Sequence, residues 1–445
     1  MKLSTFILKN TGPFATLNLN IKKDCLVTVI AGEQGSGKTT LLKHLYHSLT
    51  WFQGRSRDVR SAGVVMNEQD IYHLAQISQL HIRVQINEAL QQFTQQPDSE
   101  AVPCVYSWQL QKSKNSKSAI NTAETVALDH LVKLYQQANH HDPDYGFPLL
   151  AYYPTERFIH EVNLLSKNNP LVLQAQYAYD LVSIPYTTFS RFFEWLREIH
   201  DIENAQAAAY LAGLQQLELT DVQQHLNTQP PRPHLTALKT ALQIVLPEIE
   251  DLFLDYQPKI QLKVKINGEV MLYQQLGSSF KIWIALVGDI VRRLCVLNPT
   301  QLQPCCVGDG ILLIDQIEQQ LDEPHISTLL PRLQQAFPKL QMIVTTSNPE
   351  LLNLQPEYQC LKFYDEKLQP LITQSMIFDE NYRNLYTPSL EITETTPVEA
   401  LTLPEQRYDE LLTQIQQQLN LEQQQQFILD LQNLHAQQLH SKTLE

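Results

Sequence analysis

Apolar residues recur along this chain in two rhythms, and each predicts a kind of element. Near the amino end the rhythm is that of strands. Leu3–Leu8, Ala15–Ile21 and Cys25–Ile30 read as strands, with Thr11-Gly12-Pro13 supplying the turn after the first. Together they predict a short antiparallel lead-in. Residues 38–50 then read as a helix, and residues 64–92 mix both signals. Val102–Gln111 reads as a strand and Lys112–Ser118 as a hairpin tip. Ala123–Gln137 carries Val126, Leu128, Leu131 and Leu134 at helical spacing, and Pro148–Tyr153 is a short buried strand.

Residues 160–247 are mostly helical in pattern. Phe189, Phe192, Phe193, Leu196 and Ile199 give Ser190–His200 one apolar face, which is a core stripe rather than a ligand box. Pro230-Pro231-Arg232-Pro233 breaks the chain before a helix at Leu235–Leu246. No heptad repeat is sustained, so no long coiled-coil arm is predicted. Ile260–Ile266 and Glu269–Leu276 flank Asn267-Gly268, a strong hairpin signal. A helix from Phe280 to Leu297, a buried strand at Ile311–Asp315, a helix at Ile326–Ala336 and a buried strand at Gln341–Thr346 follow. That alternation implies parallel crossovers and an α/β fold with a mixed sheet. Residues 379–403 are polar and rich in Thr, Pro and Glu, and read as a linker. Two amphipathic helices close the chain, one built on Tyr408, Leu411, Leu412, Ile415 and Leu419, the other on Phe427, Ile428, Leu431 and Leu434.

Composition narrows the class. The chain has 445 residues, enough for more than one core, and 43% hydrophobic residues, ordinary for a soluble protein. No apolar run approaches the roughly 18 residues of a membrane span, and residues 1–8 are too short and strand-like for a signal peptide. The expected location is the cytoplasm, with no membrane partner. Six cysteines show no C-x-x-C pair, so neither a zinc site nor a disulfide frame is implied. A net charge of −14 disfavours a broad basic surface for nucleic acid. Arg55, Arg57 and Arg60, and Lys112, Lys114 and Lys117, form two small basic clusters that read as solvated loops or as phosphate contacts. The glutamine runs at 416–418 and 423–426 lie inside helical patterns.

The strongest chemical signal lies at Gly32-Glu33-Gln34-Gly35-Ser36-Gly37-Lys38-Thr39-Thr40. It fits Gly-x-x-x-x-Gly-Lys-[Ser/Thr], the phosphate-binding loop, and sits between an apolar strand and a helix. Gly32, Gly35 and Gly37 let backbone N–H groups turn inward around a phosphate. The helix start adds unpaired N–H groups and the positive end of its dipole. Lys38 supplies a charge near the β and γ phosphates, and the Thr39 hydroxyl can hold Mg²⁺. Ile311-Leu312-Leu313-Ile314-Asp315 is apolar until its last residue, which suits a buried strand delivering a metal-positioning carboxylate. The expected ligands are therefore ATP and Mg²⁺, the metal on Thr39 and Asp315.

Several stretches together resemble the ATP-binding cassette heads of SMC-, RecF- and OLD-like ATPases. They are Ala285-Leu286-Val287-Gly288-Asp289-Ile290-Val291-Arg292-Arg293-Leu294, Leu297-Asn298-Pro299, Leu313-Ile314-Asp315, Leu330-Pro331-Arg332-Leu333, Ala336-Phe337-Pro338 and Ile343-Val344-Thr345-Thr346. Upstream, Tyr152-Tyr153-Pro154-Thr155-Glu156-Arg157 and Phe192-Phe193-Glu194-Trp195 also match. Within that family the chain is similar to bacterial ATP-binding proteins once described as virulence-associated, relatives of the ATPase subunits of Septu-type and retron-linked phage defence systems. The resemblance covers residues 1 to about 360. It implies a head at 1–159 and 251–378, a shortened helical insertion at 160–250, the linker at 379–403 and a helical hairpin at 404–445. It also implies that two heads sandwich two nucleotides, each between one copy's phosphate loop and the other's signature motif.

The departures from that pattern cluster on catalysis. The family ends the strand with Asp-Glu; here Asp315 is followed by Gln316, which cannot accept a proton at neutral pH. The family's Thr-Thr-His switch is Thr345-Thr346-Ser347, so Ser347 stands in place of an imidazole. The signature Leu-Ser-x-Gly-x-[Arg/Gln] appears as Leu276-Gly277-Ser278-Ser279-Phe280-Lys281, with the serine displaced and Ser279 where the glycine belongs. Glu318 could substitute as base, although two residues further along it is expected to point elsewhere. Three functions stay open. The first is an ATP-gated assembly subunit with weak or absent hydrolysis, pairing with itself or a related ATPase subunit. The second is an active ATPase driving a separate nuclease or DNA-processing complex. The third is a clamp that binds nucleic acid directly, with DNA a possible partner. No nuclease motif is visible, so an effector such as a nuclease is expected on another chain.

Overall fold

The computed structural model describes most of residues 1–370; residues 91–103, 115–121, 165–174, 180–185, 215–231, 352–356 and 371–445, with some shorter stretches, lie outside the described residues. The linker and the closing helices expected at 379–445 are therefore not described. In chain order the strands are β1 (Lys2–Thr11), β2 (Phe14–Asn20), β3 (Val27–Ala31), β4 (Ile77–Gln85), β5 (Val105–Ser113), β6 (Thr122–Glu124), β7 (Leu149–Tyr153), β8 (Glu156–Arg157), β9 (Tyr186–Thr187), β10 (Ile249–Asp255), β11 (Gln261–Ile266), β12 (Glu269–Leu272), β13 (Gly310–Ile314), β14 (Leu340–Thr346), β15 (Gln359–Tyr364) and β16 (Lys367–Pro370). The longer helices are α1 (Lys38–Arg57), α2 (Val126–His141), α3 (Ser190–Leu214), α4 (Pro233–Val245), α5 (Ser278–Leu297) and α6 (Glu323–Ala336).

Two sheets carry the fold. One is antiparallel throughout, in the order β2-β1-β4-β5-β6. The other runs β16-β15-β3-β14-β13-β7 and is parallel except for its edge strand β16. The α/β class and mixed sheet expected from the sequence are thus present. The antiparallel lead-in is a correction: β3 does not pair with β1 or β2 but sits inside the parallel sheet between β15 and β14. Burial explains the split. All five residues of β3 are buried, as a strand covered on both faces requires, whereas β2 alternates buried and exposed positions.

Helix α1 lies between the sheets and is tied to both. The Trp108 indole of β5 donates to the Ser48 carbonyl at 3.1 Å, and the Gln53 amide donates to the Leu150 carbonyl of β7 at 2.8 Å. Gln341 of β14 clasps β1 directly: it accepts from the Leu3 N–H at 2.6 Å and donates to the Leu3 carbonyl at 3.0 Å. These buried polar side chains satisfy groups that packing would otherwise strand.

Other expectations shift by small amounts. Asn267 and Gly268 take φ of 50° and 84°, the pair of left-handed residues a two-residue hairpin demands, but β12 stops at Leu272 and a short 3₁₀ turn replaces its predicted end. Lys112 lies in β5 and is buried, not at a hairpin tip; Ser113 ends that strand, Lys114 is in the turn after it, and 115–118 are outside the described residues. Between 64 and 92 the described residues form a 3₁₀ turn at Glu68–Asp70 and then β4. Pro233 opens α4 as its first residue rather than breaking the chain before it. Strands β10, β15 and β16 were not expected. No helix among the described residues is long and apolar enough to cross a membrane.

Candidate functional site

The phosphate loop leaves the carboxyl end of β3 and enters α1. Gly37 is the N-cap, at φ 93° and ψ 9°, and no side chain caps the helix, so its first N–H groups stay free for an anion. Lys38 is buried and bends back: its Nζ donates to the carbonyls of Gly32 at 2.5 Å and Glu33 at 2.8 Å. Burial lowers the Lys38 pKa, and the charges of Asp315 and Glu318 pull it back up. The Ser36 hydroxyl is buried with no partner, a polar group for which a phosphate oxygen is a natural match. Glu33 and Gln34 are exposed on the loop, and Thr40 is half-buried beside Gly12 of the β1–β2 turn.

Sheet order brings the carboxylate to the loop. Strand β14 lies between β3 and β13, and all three run parallel, so their carboxyl ends meet. Asp315 follows β13 and is wholly buried. Its Oδ2 accepts from Thr39 at 2.7 Å and from Thr155 at 2.9 Å, and its Oδ1 accepts from Thr345. Thr39 and Asp315 therefore offer two oxygen donors at one point, the hard set Mg²⁺ takes alongside phosphate oxygens and water. The residues fit that ion. When bound, the metal would neutralise phosphate charge, and Thr155 and Thr345 would hold the carboxylate in place. Among the described residues no group of three or more His, Cys, Asp or Glu could hold a metal.

Gln316 and Ser347 adjoin this point. Gln316 sits at φ 43°; its N–H donates to Thr345 Oγ1 at 2.8 Å and its carbonyl accepts from Arg157 at 2.9 Å. Ser347 is exposed at the end of β14. Glu318, expected to point elsewhere, is held at the end of β14: its Oε1 accepts the Ser347 N–H at 2.7 Å. Arg157 is buried, stacked over Trp283 at 5.9 Å, and leaves Nε and Nη1 unpartnered; burial lowers its pKa to about 10 against the pull of Asp315 and Glu318. Thr155 and Arg157 are the functional positions that spacing alone missed, although both belong to the Tyr-Tyr-x-Thr-x-Arg stretch.

Ser278 and Ser279 are elsewhere. They head α5, whose N-cap Gly277 offers no side chain. Ser278 lines a cavity of 410 Å³ with Arg157, Tyr273, Lys281 and Gln320, to which no phosphate-loop residue contributes.

The AAA domain family matches residues 6–250, more than half of the chain. The chain belongs to this family. Among curated relatives, this AAA-domain chain is 26% identical over 361 residues to the retron Vc95 probable ATPase of Vibrio cholerae, covering 73% of this chain and 66% of that protein. It is 24% identical over 394 residues to the retron Ec83 probable ATPase of Escherichia coli, covering 79% and 69%. The chain thus spans about two thirds of the length of these relatives. Among solved structures it is similar to the Smc head domain with an extended coiled coil bound to the C-terminal domain of ScpA from Pyrococcus furiosus, at 12% identity, covering 86% of this chain and 99% of that one, with a TM-score of 0.45. For the SMC head domain from Thermotoga maritima the values are 11%, 83%, 98% and 0.42.

Proposed function

We propose that this AAA-domain chain binds Mg²⁺-ATP at the phosphate loop, hydrolyses it slowly at most, and uses the bound nucleotide to hold two heads together. The partner head is a second copy or a related ATPase subunit, and the output passes to a separate effector such as a nuclease, in anti-phage defence. The observation that carries this reading is the meeting of Lys38, Thr39 and Asp315 around a loop with free helix N–H groups. The slow turnover rests on Gln316 and Ser347, which supply neither the carboxylate nor the imidazole the fold resemblance implies. The sandwich rests on Ser278 and Ser279 heading α5 outside their own chain's loop, where a partner's nucleotide could meet them. The defence role comes from the resemblance to phage-defence ATPase subunits, and the two relatives named retron probable ATPases support that grouping.

Without turnover, ATP acts as a ligand whose binding energy favours the paired state. Titration of the purified chain with Mg²⁺-ATP should show binding that Lys38→Ala abolishes, and light scattering should show ATP-dependent dimers. A chain that takes up no ATP ends this reading, and turnover of about 1 s⁻¹ or faster contradicts its slow step. A second reading, an active ATPase driving a nuclease or DNA-processing complex, is favoured by the intact Lys38, Thr39 and Asp315 set; DNA-stimulated turnover would support it. A basic DNA surface has less support. Arg55 pairs with Asp129 at 3.2 Å, Arg57 donates to the Tyr179 carbonyl, and Lys112 is buried.

A further inference from the structure

The turn after β13 holds a carboxylate that the loop motif does not explain. Gln316 and Gln320 take φ of 43° and 64°, so the chain reverses between them and presents Glu318 back towards the sheet. The Ile317 N–H donates to the Thr345 carbonyl at 3.0 Å, clamping the turn to the end of β14. That clamp sets Glu318 Oε1 at 2.7 Å from the Ser347 N–H. The second oxygen, Oε2, is shielded from solvent and has no hydrogen-bond partner among the described residues. A carboxylate oxygen left that way is disfavoured unless something arrives to use it. The charge of Glu318 acts on Lys38 from the phosphate loop and on Arg157 from β8. Glu318 is therefore fixed at the switch position, three residues after Asp315, with its charge felt by the loop lysine.

We propose that Glu318 is the general base of the turnover this head performs, in place of position 316. The proposal rests on the loop being an ATP site and names the residue that sets its rate. A water hydrogen-bonded to Glu318 Oε2 attacks the γ-phosphorus. The new O–P bond forms as the bond from that phosphorus to the β–γ bridging oxygen breaks, and ADP leaves with the electron pair. The water's proton passes to Glu318 and then to solvent, leaving inorganic phosphate. The Ser347 N–H fixes Oε1 and so orients its partner oxygen. Gln316 contributes backbone contacts instead, to Thr345 and Arg157.

Glu318→Gln tests this in the full chain. The amide keeps the size of the side chain and an oxygen for the Ser347 N–H, so a purely structural tie survives, but it cannot take a proton. Two quantities are measured: Mg²⁺-ATP affinity by titration, and the single-turnover rate with labelled ATP and protein in excess. The affinity should hold, and the rate should fall by about 10²-fold or more. Glu318→Asp, which retains a carboxylate, should keep measurable turnover where Glu318→Gln has none. Equal rates for wild type and Glu318→Gln overturn the proposal, as do equal rates for the two variants. Wild-type protein that holds ATP without ever splitting it also overturns it, while leaving the binding reading intact. Wild-type protein that binds no ATP removes both.

Discussion

Replacing Gly37 by alanine should separate what the phosphate loop needs from what the core needs. At φ 93° an L-residue clashes with its own backbone, at about 1–2 kcal/mol. The added Cβ would also lie 2.3 Å from Phe14 Cζ, closer than real carbon atoms approach. Phe14 is fully buried and stacked on Phe363, with ring centroids 5.8 Å apart and planes 13° off parallel, so it cannot swing aside without breaking that pair. Overpacking of this kind costs about 1–3 kcal/mol. The two contributions together come to roughly 2–5 kcal/mol. If the loop yields, ATP affinity weakens by about 30-fold or more. If the core yields, the melting temperature drops instead, by about 2–4 °C for each kcal/mol in a domain of ordinary size. Fluorescent ATP titration and thermal melting distinguish the two. Adding Phe14→Ala removes the clash but not the φ strain and has its own cost of about 3–5 kcal/mol, so the double variant should lose less stability than the two single losses summed, by a coupling of roughly 1–3 kcal/mol. A Gly37→Ala protein that binds and melts like wild type would refute the geometry.

Asp315→Asn should make ATP affinity nearly equal in Mg²⁺ and in EDTA, because one carboxylate oxygen becomes a donor; urea unfolding should show a loss of about 1–3 kcal/mol from the threonine hydroxyls that lose an acceptor. A wild-type Mg²⁺ dependence in that variant would remove Asp315 from the metal site. Stability should also fall in mild acid. Burial lowers His44 to about 4 and His47 to about 3, with Lys43 pushing the same way and Asp70 opposing. Above the ordinary value of 6.5 both rings are neutral in either state. Below it the unfolded chain takes up protons that the folded chain refuses, so each ring removes about 1.4 kcal/mol per pH unit until its folded value is reached. Melts from pH 7 down to pH 4.5 should show this slope, and His47→Gln should flatten part of it. A flat profile in the parent protein would contradict the burial of these rings.

What could be read from the residues was what depends on near neighbours. The strand, glycine loop and helix from Val27 to Thr50 form one local pattern, although the helix runs on to Arg57 through Arg55, which was read as loop or phosphate contact; the Asn267-Gly268 turn needs only its own backbone angles. Sheet membership was harder because it depends on partners far along the chain, yet a trace of it is present. Strand β3 is apolar but for Thr28 and buried throughout, while β2 alternates, and that contrast separates a doubly covered parallel strand from a one-faced antiparallel one. Strand β10 was hidden by its acids. Glu250, Asp251 and Asp255 discourage a strand reading, but in the fold they meet Lys265, Lys239 and Lys263 at 2.5, 2.7 and 2.6 Å. The metal-end carboxylate was legible as an apolar run ending in Asp315. Thr39 was legible beside it from the loop motif, but the hydrogen bonds from Thr155 and Thr345 were not, because those residues come from two further separate segments.

The altered positions at 316 and 347 look like two separate losses in sequence, and the structure joins them. Glu318 reaches the backbone of Ser347, so a second carboxylate beyond Asp315 is tied by a peptide N–H to the end of β14. Gln316 suits that arrangement. A second carboxylate there would place like charge beside Asp315 and Glu318, with only Lys38 and Arg157 to offset three acids. With Glu318 as the base proposed above, Gln316 and Ser347 belong to one charge pattern with it, and Gln316→Glu alone would disturb the balance that the other two acids set.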